Sequence, residues 1–77
     1  METTFLMLKC GATHVNIYRR PKGFYASIFG QLPLYGEGDS LERSNAADLM
    51  IALVEEVFDR NYPVEVYDPI TRTWSNF

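Results

Sequence analysis

Cys10 and His14, the one thiol and the one imidazole of the chain, stand close together in sequence. In a nucleophilic pair of this type the imidazole takes the thiol proton while a third group holds the ring in place. No third orienting residue accompanies them, so a structural or incidental thiol and a polar histidine beside a turn is the simpler reading. A metal centre would need two or three further N, S or O ligands, and the spacing supplies none. Neither a metal nor a cofactor is expected.

A second group offers different chemistry. Arg19, Arg20 and Lys22 lie between Tyr18 and Tyr25, a mixture of cations and flat rings that suits the phosphates and bases of a single-stranded nucleic acid. Alternation puts Tyr18 and Tyr25 on the side opposite Val15 and Ile17, so both rings are expected to be exposed together. Ordinary hairpins carry such residues too. Ten Asp+Glu against seven Lys+Arg leave a net charge of -3, which works against binding driven by phosphate contacts. Asp48, Glu55, Glu56 and Asp59 gather on one side of a helix; they could imitate phosphates, or simply form a solvated face. General acid–base work requires a cleft and displaced pKa values in addition to paired carboxylates. The expectation is a protein that is not an enzyme.

The elements that position these groups follow from periodicity. Phe5 to Cys10 reads as a short strand, and Gly11, Ala12 and Thr13 as a turn. Val15 and Ile17 alternate with Asn16 and Tyr18 in a second strand. Arg20-Pro21-Lys22-Gly23 is a hairpin turn with Pro where its fixed φ fits. Phe24, Ala26 and Ile28 then alternate in a third strand. Residues 30–38 read as a loop, with Leu32, Leu34 and Tyr35 folded back as a lid. Asp39 and Glu42 have capping-box spacing, and Ser44 is a later N-cap candidate. The helix that follows turns Met50, Leu53, Val54 and Val57 inward, with Ala52 on the acidic side. Ile51 and Phe58 fall on one flank and Leu49 on the other, which leaves more apolar surface than one sheet face needs. After Asn61-Tyr62-Pro63, Val64 to Tyr67 forms a strand, Asp68-Pro69 starts a turn, and Thr71 to Trp74 returns. The predicted fold is α+β, a small antiparallel sheet with one helix across one face, in the order βββαββ.

The run Gly23-Phe24-Tyr25-Ala26, then Leu32-Pro33, then Gly38-Asp39-Ser40-Leu41-Glu42 leading into a helix resembles the HicB-type antitoxin domain. That family's pattern is Gly-aromatic-x-Ala, Leu-Pro and Gly-Asp-Ser/Thr-Leu-Glu-Glu-Ala, and the likeness covers the middle half of the chain. It implies a three-stranded sheet with a helix, an incomplete RNase-H-like fold, that binds a toxin protein. Gly30 stands where the family usually has Pro, and Ser44 where it has Ala. The tail from Val64 to Thr71 with Trp74 looks like one strand pair of a Kelch blade, but a single unit cannot close a propeller. Asp-Pro followed by Thr and Trp is sufficient as hairpin chemistry.

A chain of 77 residues is expected to form one domain, and at about this size only ~60% of the unfolded surface is buried on folding. With 47% hydrophobic and 14% aromatic residues it folds rather than staying disordered. A single cysteine forms no intrachain disulfide, so self-association is the expected source of added stability. The start Met1-Glu2-Thr3-Thr4 lacks the basic segment of a signal peptide, and Phe5-Leu6-Met7-Leu8 is too short to span a membrane. A cytoplasmic setting with no membrane contact is expected. The function expected from these features is that of a small regulatory or inhibitory protein that binds another protein, with Ile51, Phe58 and Leu49 as its contact residues and a homodimer as its form. Compact acidic chains of this kind are common among mobile-element and phage inhibitors, anti-CRISPR proteins included. The alternative is a nucleic-acid-binding module built on Tyr18, Arg19, Arg20, Lys22 and Tyr25.

Overall fold

The computed structural model describes residues 3–30 and 39–77. Three strands form a meander: β1 (Thr3–Cys10), β2 (Thr13–Arg20) and β3 (Gly23–Phe29). Their turns are tight because Gly11-Ala12 joins the paired residues Cys10 and Thr13, and Pro21-Lys22 joins Arg20 and Gly23. Gly11 takes a left-handed φ of 60°, the conformation a side chain disfavours. Then β4 (Asp39–Arg43) pairs with β3, so four strands precede the helix instead of three. Asp39 and Glu42 therefore belong to a strand and lie before the helix cap. The expected lid residues Leu32, Leu34 and Tyr35 lie outside the described residues.

Helix α1 (Ala46–Ala52) is capped by Asn45, not by Ser44 or Asp39. The Asn45 side chain accepts a bond from the Asp48 backbone N–H at 2.8 Å, which satisfies one of the free donors of the first turn. The helix runs on into a wide π turn over Leu53–Val57, closed by the Phe58 N–H donating to the Leu53 carbonyl at 2.8 Å. The chain returns as β5 (Val64–Asp68) and β6 (Thr73–Asn76). That last strand starts later than Thr71, because Asp68 Oδ1 accepts from the Ile70 and Thr71 amides and holds them in the turn. All pairings are antiparallel, and the six strands lie in the order β4-β3-β2-β1-β5-β6. No helix among the described residues is long and apolar enough to cross a membrane.

The helix covers one face of this sheet. Leu8, Val15, Ile17, Ala26 and Ile28 meet Leu49, Leu53, Val57 and Phe58 in one core, each large apolar side chain contributing roughly 1.5–3 kcal/mol by leaving water. The inward side of the helix differs from the one periodicity predicts. Val54 is 45% exposed and Met50 only partly buried, whereas Ala52, expected outside, is buried. At about 100° per residue a regular helix carries Phe58 round to Ile51, roughly half a turn from Leu49. The wide turn slows that rotation and aligns Val57 with Leu53. Phe58 then leaves in an extended conformation with its ring in the core.

Candidate functional site

Among the described residues the other face of the sheet carries no helix, and alternation decides what it displays. Residues that alternate with the core positions are Lys9 on β1, His14, Asn16, Tyr18 and Arg20 on β2, Tyr25 and Ser27 on β3, and Glu42 on β4, with Tyr67 and Trp74 paired across β5 and β6. Two clusters form at its ends. At one, the Tyr18 and Tyr25 rings lie 6.3 Å apart, and the Arg20 guanidinium sits 3.9 Å above the centre of the Tyr25 ring. Arg20 also reaches Glu42 at 3.5 Å. At the other, Trp74 meets Tyr67 at 5.2 Å and stands edge-on to His14 at 6.2 Å. Lys9 lies 4.5 Å from the Trp74 ring centre and 3.9 Å from a Glu65 carboxylate oxygen.

Each cluster thus combines rings with a cation that has both an aromatic face and a carboxylate for company. Cation–π contacts of this kind hold long side chains flat against rings, so the face is smooth and locally near-neutral. Aromatic residues and Arg with their charges compensated are the composition of the buried centre of a protein interface. Sequence reasoning grouped Tyr18, Arg20 and Tyr25 and expected the Trp74 indole to pack across its own hairpin, as it does against Tyr67, but it did not join Lys9 and His14 to that ring. Trp74 lies far from His14 and Lys9 in sequence, and only the order β2-β1-β5-β6 brings them together.

The remaining sequence-predicted residues separate. Arg19 alternates with Ile17 and lies on the helix-bearing side of β2, so it is not on the face with Tyr18; Lys22 is in the β2–β3 turn. Leu49 is 0% exposed and Phe58 8%; both are core residues and cannot serve as free contact residues. Phe58 is brought in by the wide turn, whereas Leu49 lies on the side of α1 that faces the sheet, which leaves Ile51, 55% exposed, as the one member of that set at the surface. It shares a shallow apolar groove of about 340 Å³ with Met50, Val54 and Phe77.

Cys10 and His14 point to opposite faces. Cys10 is buried with the core, its thiol 3.3 Å from the Asp59 carbonyl, while His14 pairs with Lys9 on the open face. Burial pushes the Cys10 thiol above its ordinary value; a backbone hydrogen bond at Asp59 opposes the shift and the Asp59 charge reinforces it. The thiol is protonated near neutral pH and is a poor nucleophile. Among the described residues no three His, Cys, Asp or Glu side chains gather as metal ligands would. Of the acidic helix residues, Asp48 is engaged in the helix cap and Glu56 faces Arg43 at 3.9 Å.

Comparison with protein-family models, curated proteins and solved structures finds no match to this chain.

Proposed function

We propose that this chain is a small non-enzymatic regulatory or inhibitory protein that acts in the cytoplasm by binding another protein, and that the open face of its sheet is the contact surface. The observation that carries this reading is the pair of aromatic clusters whose cations are compensated by Glu42 and Glu65. Such a surface presents large, rigid apolar area at little cost in side-chain freedom, as interface hot spots do. The HicB-type resemblance is to a family that also works by binding a protein, and a phage or mobile-element inhibitor would act in the same way.

Capture from the native host, with and without nuclease, tests the reading. The wild-type chain is expected to retain a protein that survives nuclease, and the double variant Tyr18→Ala, Trp74→Ala should retain at least about tenfold less, since each removes an aromatic anchor. Circular dichroism on the variant checks that it remains folded. Equal capture by both chains, or release by nuclease, would count against the open face as a protein contact.

A nucleic-acid reading is favoured by one observation, the approach of Arg43 from β4 to Arg20 and Lys22. It predicts affinity that falls with salt as counterions are released.

The homodimer proposal now rests on Ile51, Val54 and Phe77, since Phe58 is in the core. Light scattering at micromolar concentration should show a dimer that Ile51→Glu disperses without loss of fold. A monomer at those concentrations would remove self-association from the account.

A further inference from the structure

Four of the seven Lys+Arg residues, Arg19, Arg20, Lys22 and Arg43, lie at one end of the sheet, where the β2–β3 turn meets the end of β4. Two hollows adjoin there. A cleft of about 540 Å³ has Arg20, Lys22 and Arg43 among its lining residues, with Pro21 and Phe24 as apolar wall and Glu42 as its one carboxylate. A second, of about 340 Å³, is lined by Arg19 together with Arg20 and Pro21. Lys22 and Arg19 have no ion-pair partner among the described residues. Among the described residues these four cations stand against two paired carboxylates, Glu42 and Glu56, in a chain of net charge -3.

The cleft is also held in shape. A Cβ placed on Gly23, whose φ is 151°, would come within 2.5 Å of the Arg43 carbonyl oxygen. Only glycine lets the turn and the end of β4 approach so closely, and that approach fixes the backbone that carries Lys22 and Arg43 before any ligand arrives. Preorganisation of this kind lowers the entropy cost of binding.

We propose that this cleft takes an acidic segment of a protein partner, with carboxylates meeting Lys22 and Arg43 and an apolar side chain against Pro21 and Phe24. The inference rests on the protein-binding reading and extends it to the chemistry of the partner. A single nucleic-acid strand fits less well. Its bases would need the Tyr25 ring, which the Arg20 guanidinium already covers. Its phosphates would need cations strung along a groove, whereas Arg20, Lys22 and Arg43 gather at one end and the next cation on the open face, Lys9, belongs to the Trp74 cluster at the other.

Fluorescence anisotropy on the full chain, with a labelled ten-residue peptide of alternating Glu and Leu against dT and U oligonucleotides of equal length, tests this. The peptide should bind saturably and more tightly than either oligonucleotide, and weaken as salt rises from about 0.05 to 0.3 M, where screening shortens to a few ångströms. Lys22→Glu and Arg43→Glu should each weaken it about tenfold by setting like charges together. Arg60→Glu, the same charge change in the turn after the helix, should not. Lys22 has no ion pair among the described residues, so its variant keeps the test open if Arg43→Glu disturbs the fold. Tighter binding of an oligonucleotide, no saturable peptide binding, or peptide binding indifferent to both reversals would overturn the proposal. A host partner that is lost with Tyr18 and Trp74 but kept by Lys22→Glu would overturn it while leaving the open-face reading intact.

Discussion

Leu53→Ala is expected to lower the unfolding free energy by about 2–5 kcal/mol, the range for truncating a fully buried leucine. Leu53 is 0% exposed and sits where α1 gives way to the wide turn, in the same core as Leu49, Val57 and the sheet residues Leu8 and Ile28. The lost methylenes leave a void that the backbone on either side closes only in part. Total stability of small domains is about 5–15 kcal/mol, so a loss of this size is a large share of it and should move the unfolding midpoint well down. Urea titration followed by circular dichroism measures the difference. A loss below about 0.5 kcal/mol would mean that the helix presents another side to the sheet.

Phe58→Glu should act still more strongly, by removing the fold rather than by dispersing a dimer. The ring is 8% exposed and belongs to the core. Its replacement forfeits about 3–5 kcal/mol of aromatic packing and leaves a carboxyl group that is costly to bury in either protonation state. The expected result is an unfolded chain by circular dichroism, with loss of the cooperative thermal transition. A variant that melts like the wild type would place Phe58 at the surface and return it to the contact residues.

Why Phe58 was misplaced by periodicity shows how far the sequence was legible. The meander of β1, β2 and β3 could be read because apolar and polar residues alternate between turns that carry Gly11 and Pro21. β4 could not, because Leu41 is the only apolar residue of Asp39–Arg43 and its strand state comes from pairing with β3. Likewise, a reading at constant rotation cannot foresee the i→i+5 bond that turns the helix C-terminus. Within the candidate site, the common face of Tyr18 and Tyr25 was legible from alternation across one hairpin. The gathering of Trp74, Lys9 and His14 depends on strands distant in sequence, and the approach of Arg43 to Lys22 depends on β4.

The position of β1 bears on how the chain assembles in time. It has β2 on one side, a neighbour reached through a two-residue turn, and β5 on the other, where Cys10 must find Val64 after four further elements have passed. Hairpins close in microseconds, while a contact so distant along the chain waits for loop closure and slows the search. The register therefore predicts that the meander and the terminal hairpin form separately and that the seam between β1 and β5 zips last, an order that φ-values at Cys10 and Val64 would check. The two halves of the Trp74 cluster come from opposite sides of that seam, so on this order the open face would be completed only with the last pairing.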